Sequence, residues 1–301
     1  MIDYHRDLLA DETRTLAYRE AIRAVVKPGD VVVDIGAGSG ILSFFACEAG
    51  AAHVYAIDRG HMADVASFLA RHLDFEDRVT VLHAESSSIE LPQRADVLVT
   101  ETMGVLGFDE NILGHVLDAR RRLLNAGATI IPQSVTMSVA PVELHDTYEK
   151  HVAWWSTPRY GFDLSPLRVF ASNSLGYVRL DDKSRLASAV AMLHADLATH
   201  DSTFVSGRAT YVADRDATLH GFGVSFEATL AAGIVIDTRQ PTHWSHAFFP
   251  LELPLRVARG DEISLDLETD DGKAWRWRGR AGDDEFDQTN WLAAPPCILN
   301  K

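Results

Sequence analysis

The chain has 301 residues, with 28 Lys and Arg against 43 Asp and Glu, which gives a net charge of −15. About two domains are expected at this length, and the excess of acid argues against broad binding to nucleic acid or to an anionic membrane surface. No segment approaches the roughly 20 apolar residues of a membrane helix, and the charged first residues do not resemble a signal peptide. Cys47 and Cys297 make neither a disulfide scaffold nor a zinc site, so a reducing, cytoplasmic location is expected.

The first part of the chain alternates between helical spacing and short apolar runs. Helical spacing is seen over residues 5–26, 41–49, 62–73 and 112–124. The apolar runs lie at 31–35, 53–58, 79–84 and 95–101. Strands that are apolar throughout and alternate with helices predict a parallel sheet covered on both faces, here over residues 1–132.

After Pro132 the pattern changes, and a second domain is predicted over residues 133–301. Short helices are expected at 148–155 and 183–194. From Ser202 onward, alternating strand patterns separated by turn residues predict an antiparallel sandwich or barrel.

A glycine-rich turn follows the first predicted strand, and its acidic and glycine positions are Asp34, Gly36, Gly38 and Gly40. The dinucleotide fingerprint GxGxxG fails because its last position is Ile41, which disfavours an NAD-dependent oxidoreductase. The order acid-x-Gly-x-Gly-x-Gly is instead typical of class I S-adenosylmethionine-dependent methyltransferases. Asp58 ends the second strand, where an acid can accept hydrogen bonds from both ribose hydroxyls.

Two glutamates, Glu101 and Glu110, flank the segment between the fourth predicted strand and the next helix. Both are therefore expected at the carboxyl edge of the sheet, where open α/β sheets bind ligands. Two convergent carboxylates suit a planar guanidinium. A purely structural explanation is also open, since an acid such as Glu110 stabilises a helix N-terminus.

Several further motifs appear in one order along the chain. They are HRDLLADETRTLAYREAI at 5–22, the glycine-rich segment, ADVLVTETMGVLGFDENIL at 95–113, HVAWWSTPRYGFDLSPLR at 151–168 and Thr242-His243-Trp244. With them, nearly the whole chain resembles the catalytic core of the protein arginine methyltransferases.

The resemblance implies a Rossmann-like class I methyltransferase domain followed by a C-terminal antiparallel β-barrel or sandwich domain. A helical dimerisation arm would be inserted at about 143–176, and the enzyme would be a head-to-tail homodimer. It also implies S-adenosylmethionine as cofactor, and a substrate that is an arginine-containing protein or peptide or a small guanidine.

Roles for individual residues follow from the same resemblance. Glu101 and Glu110 would hold the guanidinium, with His243 beside them and paired with Asp11. Arg14 would bind the methionine carboxylate of the cofactor. The other residues expected around the cofactor are His5, Asp34, Gly36, Gly38, Gly40, Asp58, Glu85 and Ser87. No metal site is expected.

The chain also departs from the family pattern. A Tyr/Phe-rich N-terminal segment is not found before residue 5. Thr102 stands where a tryptophan is usual, and Leu8 and Ile112 stand where methionines are usual. Ser87 aligns with the family's adenine-binding acid, for which nearby Glu85 is a possible substitute. These changes leave open whether the substrate is protein-bound or free arginine, and whether one or two methyl groups are added. A cofactor-binding scaffold without activity is disfavoured by the two intact glutamates.

Overall fold

The structure is a computed structural model that describes residues 2–290. Cys297 and the end of the predicted second domain lie outside the described residues. Contacts divide the chain into two units. The first contains the chain up to Val135 together with Ala195–Thr203 and Glu227–Trp244, and the second contains the remainder. The predicted boundary after residue 132 stays a prediction.

A parallel sheet forms the centre of the first unit, in the order β3-β2-β1-β4-β5. Its strands are β1 (Val31–Ile35), β2 (His53–Asp58), β3 (Val79–His83), β4 (Ala95–Thr100) and β5 (Leu124–Ile131). Every residue of β1 is buried, which explains its unbroken apolar run. Because the strand order reverses between β1 and β4, the crevice at their carboxyl ends is the expected ligand site.

The helices of this unit are α1 (Ile2–Ala10), α2 (Glu12–Val25), α3 (Ile41–Ala49), α4 (Met62–His72) and α5 (Ile112–Arg122). The single helix predicted over 5–26 is wrong, because the chain breaks at Asp11. The Asp11 carboxylate accepts a hydrogen bond from the Arg14 backbone N–H and so caps a new helix. Strand β5 was not predicted, although its ATII segment is apolar.

The rest of the chain is dominated by antiparallel strands. They are β6 (Ser134–Val142), β7 (Gly176–Val178), β8 (Val190–Asp196), β9 (Phe204–Val212), β10 (Ala217–Ala231), β11 (Ile234–Asp237), β12 (His246–Val257), β13 (Glu262–Asp270), β14 (Ala274–Ala281) and β15 (Asp284–Thr289). One sheet has the order β7-β12-β10-β6-β8, with β11 paired to β10, and the other has the order β15-β14-β13-β9. The predicted antiparallel domain is confirmed, but the described strands form no closed barrel.

Short helices lie between β6 and β8. They are α6 (His145–His151), α7 (Arg168–Ser172) and 3₁₀ turns at Ala153–Ser156, Ser165–Leu167 and Asp182–Ser184. The helix predicted over 183–194 is wrong: a 3₁₀ turn ends at Ser184, and β8 begins at Val190 and takes the last five residues of the predicted range. Buried Leu193 and Ala195 alternate there with exposed His194, which is the period of a strand. No helix within residues 2–290 is long and apolar enough to cross a membrane.

Candidate active site

The glycine-rich turn lies at the carboxyl end of β1. Gly36, Gly38 and Gly40 have φ values of +77°, +54° and +84°, which favour glycine. A Cβ on Gly36 would lie 2.8 Å from Cγ2 of Thr102, and one on Gly38 would lie 3.0 Å from Cε1 of His5. The predicted cofactor residues His5, Gly36 and Gly38 are therefore brought together, with no room for a side chain at either glycine.

Two aspartates flank this turn. Asp34 Oδ2 accepts a hydrogen bond of 2.7 Å from the Ser43 hydroxyl, while its buried Oδ1 has no partner among the described residues. Burial raises the pKa of Asp34 to about 7. Asp58 accepts hydrogen bonds from the backbone N–H groups of Gly38 (2.9 Å) and Gly60 (2.7 Å). A buried acceptor without a donor is rare, and the Asp34 oxygen is available to a ligand donor.

The side chain of Arg14 forms a buried ion pair with Glu101. Its Nη2 and Nε donate to Glu101 Oε2 at 2.5 and 3.1 Å, and the two side chains are only 6% and 9% exposed. Burial opposes the charge of Arg14, but the charge and hydrogen bond of Glu101 outweigh it and raise the Arg14 pKa. A guanidinium has five N–H donors. Together with the bond to the Leu8 carbonyl, Arg14 uses three of them on described residues.

The second glutamate, Glu110, has a pKa raised to about 7. Desolvation of the carboxyl group is the largest cause, followed by the charges of Glu101 and Asp109, while Arg14 opposes the shift. The residue as a whole is nevertheless exposed. A carboxyl group whose ionised form is disfavoured in this way is stabilised as the anion by a bound cation.

A third acid, Asp11, ties His243 to the start of α2. Asp11 Oδ2 lies 2.8 Å from both the backbone N and the Nδ1 of His243, and its Oδ1 accepts from the Arg14 N–H at 3.0 Å. Burial raises the pKa of Asp11, but these hydrogen bonds outweigh it and the net shift is downward. The expected contact between His243 and Asp11 is present. Because Arg14 holds Glu101, the short segment from Asp11 to Arg14 contacts both His243 and Glu101.

Glu85 precedes the 3₁₀ turn after β3, Ser87 lies within that turn, and both are exposed. Arg59 Nη1 donates to Glu85 Oε1 at 3.2 Å. Nothing in the structure chooses between Glu85 and Ser87 as an adenine-binding residue, and that role stays a prediction. In residues 2–290, no group of three or more His, Cys, Asp or Glu is arranged to hold a metal ion.

Sequence reasoning missed two features of the site. The ion pair between Arg14 and Glu101 joins residues 87 positions apart, so no local pattern could reveal it. Asp109, whose carboxylate folds back onto the loop before Glu110, was also overlooked. Its position after two glycines in a loop could have predicted this role, because aspartate commonly accepts hydrogen bonds from nearby backbone N–H groups in turns.

Comparison with known proteins assigns the family. Residues 133–280 match the model of the arginine methyltransferase oligomerization subdomain, and residues 13–132 match that of the ribosomal protein L11 methyltransferase. Protein arginine N-methyltransferase 1.1 of Arabidopsis thaliana is 31% identical over 283 residues, which cover 89% of this chain and 72% of that protein. The chain belongs to the protein arginine N-methyltransferase family.

Other members agree with this assignment. Protein arginine N-methyltransferase 6 of Danio rerio is 31% identical over 88% of this chain and 81% of its own length. Among solved structures, the PRMT1 enzyme-prozyme heterotetrameric complex of Trypanosoma brucei with AdoHcy has a TM-score of 0.85 over 96% of this chain and 98% of that one. Arabidopsis thaliana protein arginine methyltransferase 10 has a TM-score of 0.78 over 96% and 97%. Both are 23% identical to this family member and support its fold.

Proposed function

We propose that this protein transfers a methyl group from S-adenosylmethionine to a guanidino nitrogen of arginine in protein or peptide substrates. The observation that carries the proposal is the pair formed by Glu101, directly after β4, and Glu110, shortly before α5, of which Glu110 has a pKa raised to about 7. Arg14 balances the charge of Glu101, and a substrate guanidinium supplies the second cation that the two carboxylates need. Its planar fork of donors can engage both carboxylates at once.

Glu101 and Glu110 have different tasks in this proposal. Arg14 fixes Glu101 in one orientation through two hydrogen bonds to Oε2, and Glu101 keeps further lone pairs for the substrate. Glu110 is the more exposed acid and ionises fully when the guanidinium binds. Together they orient one terminal nitrogen and polarise it. Positioning and fixed charges supply the acceleration.

The residues around the glycine-rich turn fit S-adenosylmethionine. When bound, the cofactor supplies a methyl group made electrophilic by a sulfonium. The unpartnered oxygen of Asp34 suits the cofactor's amino group, and the two remaining donors of Arg14 suit its carboxylate. Asp58 suits the ribose hydroxyls, and the absence of side chains at Gly36 and Gly38 allows close approach of the ligand.

A proton must leave the substrate nitrogen. His243 is a suitable acceptor, because Asp11 holds its Nδ1 and fixes the tautomer in which Nε2 is free to take a proton. Glu110 is a second acceptor, since a carboxylate with a pKa near 7 is matched to neutral pH. Comparing His243→Gln with Glu110→Gln separates the two by the change in kcat at saturating substrate.

The decisive experiment incubates the purified protein with labelled S-adenosylmethionine and either arginine peptides or free arginine. Label is expected on the guanidino nitrogens of the peptides, with lower turnover of free arginine, because the relatives named above are protein arginine N-methyltransferases. Absence of transfer to any guanidine while cofactor binds would contradict the proposal. Glu101→Gln should abolish transfer, whereas a non-catalytic scaffold would be unaffected in its biological role.

We further propose that the protein is a homodimer and acts in the cytoplasm. The arm at about 143–176 supports the first part, because Tyr160 and Phe162 are 95% and 68% exposed there and the oligomerization subdomain model covers it. Replacing both aromatics by serine should convert a dimer to a monomer in sedimentation. Cell fractionation tests the location.

A further inference from the structure

We propose that Asp109 is a positioning residue that folds the loop between Glu101 and α5 and holds its own carboxyl group next to Glu110. The inference rests on the proposed function, because it concerns the acid that would receive the substrate. In this proposal Asp109 contacts neither S-adenosylmethionine nor the substrate guanidinium. It acts through the backbone of the loop and through its own charge.

The geometry of the loop carries the first part of the inference. Asp109 Oδ1 accepts a hydrogen bond of 2.7 Å from the Leu106 N–H, and its Oδ2 accepts one of 3.3 Å from the Val105 N–H. The carboxylate therefore closes a turn that ends one residue before Glu110. Both donors are backbone groups, so the side chain is directed into the loop.

The backbone conformation of the loop depends on the same contact. Gly104, Gly107 and Asn111 all have positive φ values, of +63°, +83° and +64°. A Cβ on Gly104 would lie 2.3 Å from Asp109 Oδ1, so the carboxylate occupies the space that any other residue at position 104 would need. Glycine adopts such φ values at little cost, so the loop turns readily at Gly104 and Gly107, and only Asn111 needs surrounding contacts to hold it in this conformation. The two hydrogen bonds accepted by Asp109 hold the turn immediately before Glu110.

The charge of Asp109 carries the second part. Several groups near Glu110 affect its ionisation or respond to it, and they are Glu101 at the end of β4, Arg14 from α2, Arg59 after β2, Tyr4 from α1 and Asp109 itself. Arg14 and Arg59 favour the ionised form of Glu110, and the two acids disfavour it. Asp109 is the neighbour in the chain and is held in place by the two backbone N–H groups. Burial raises the pKa of Asp109 itself, and the ionised Asp109 then adds to burial and to the charge of Glu101 in keeping Glu110 protonated to a higher pH.

The test uses Asp109→Asn and Asp109→Ala. Asparagine removes the charge but keeps one oxygen that can accept the hydrogen bond from the Leu106 N–H. Alanine removes both the charge and the hydrogen-bond acceptors. We expect kcat/KM of Asp109→Ala to fall by roughly 10- to 100-fold, as for other small misplacements of catalytic groups. For Asp109→Asn, kcat/KM at pH 6 should be a larger fraction of its own value at pH 8.5 than in the wild type. A role confined to stability would lower the rate equally at every pH.

Two further measurements need no substrate and remain informative if methyl transfer itself is not found. Amide hydrogen exchange at Val105 and Leu106 should be faster in Asp109→Ala, and the NMR titration midpoint of the Glu110 carboxyl carbon should move to lower pH in Asp109→Asn. Unchanged exchange, or kcat/KM of Asp109→Ala within twofold of wild type, overturns the positioning role. An unchanged Glu110 midpoint overturns the charge role.

Asp96 provides the matched control. It lies at the opposite end of β4 and also accepts a backbone hydrogen bond, from the Val31 N–H at 3.0 Å. Asp96→Asn makes the same chemical change far from Glu110, so it should leave both the Glu110 midpoint and the shape of the pH profile at their wild-type values. A shift in this control equal to that of Asp109→Asn would also overturn the proposal.

Discussion

Two arginine–carboxylate pairs of nearly equal length lie in very different surroundings. In the first unit, Arg14 and Glu101 meet at 2.5 Å with side chains that are 6% and 9% exposed. In the second unit, Arg276 and Asp287 meet at 2.6 Å across strands β14 and β15, with side chains 44% and 52% exposed. Their distances alone would predict similar contributions to stability. Burial makes the contributions different, because a charge that has been taken out of water depends on its partner for stabilisation.

The comparison explains why the proposed active site lies around the buried pair and not around the exposed one. A charge in a low-dielectric crevice acts strongly on its neighbours: burial is the largest cause of the raised pKa of Glu110, and the charge of Glu101 adds to it. The same charge on the exposed sheet is screened by water and ions. Each prediction below tests this difference between the two surroundings.

The largest expected effect is that of Arg14→Met. It leaves the Glu101 charge buried without its cation, and the free energy of unfolding at pH 8 should fall by about 3–5 kcal/mol. Urea unfolding followed by both fluorescence and circular dichroism measures this. A loss as small as that of a surface pair would show that burial does not distinguish the two sites.

The pH dependence of the reaction reports the charge of Glu110. Since its pKa is about 7, kcat/KM for arginine peptides should fall about tenfold for each pH unit below 7. The assay uses saturating S-adenosylmethionine, so that titration of Asp34 does not contribute. A profile that stays flat down to pH 5 would mean that Glu110 titrates like an ordinary surface glutamate.

The stability effect of Glu110 has the opposite sign to that of a salt-bridged acid. Its pKa is raised above the ordinary 4.5, so its contribution to stability is present below pH 4.5 and is lost as pH rises through about 7. Glu110→Gln should therefore be more stable than wild type at pH 8. The gain should be about 1 kcal/mol or less, because the residue is partly exposed and solvent screens its charge.

Asp11→Ala should have an intermediate effect on stability. It removes the cap of α2, which alone costs about 1–2 kcal/mol. It also removes the hydrogen bonds that hold His243. We therefore expect kcat to fall by more than the loss of folded protein alone would cause. Asp11→Asn, which keeps an acceptor for the Arg14 N–H, is the control. Thermal unfolding and steady-state kinetics on the same samples separate the two losses, and equal kcat for wild type and Asp11→Ala would contradict a role for the pair.

The smallest effect is expected for Arg276→Gln on the exposed sheet. The free energy of unfolding should change by about 0.5 kcal/mol or less, and the change should vanish in 1 M salt. Methyl transfer should be unaffected. A loss comparable to that of Arg14→Met would contradict the distinction between buried and exposed pairs.

Much of the fold was predictable because its signals are local. Apolar strands alternating with helices identified the parallel sheet, and period-two patterns identified the antiparallel sheets. The failures are local patterns that tertiary context overrode. Residues 183–194 contain good helix formers, yet the chain enters β8 at Val190 because pairing in a sheet buries Leu193 and Ala195. The helix over 5–26 is divided because Asp11 caps it from within.

The sequence by itself determined the glycine-rich turn, the acids at the ends of β2 and β4, and the family to which they belong. These features follow from residue types at fixed spacing along the chain, and folding does not change that spacing. Only the tertiary structure decided that Arg14 neutralises Glu101 and that Asp109 folds the loop before Glu110. Those contacts depend on side chains brought together by packing, and burial gives each of them its strength.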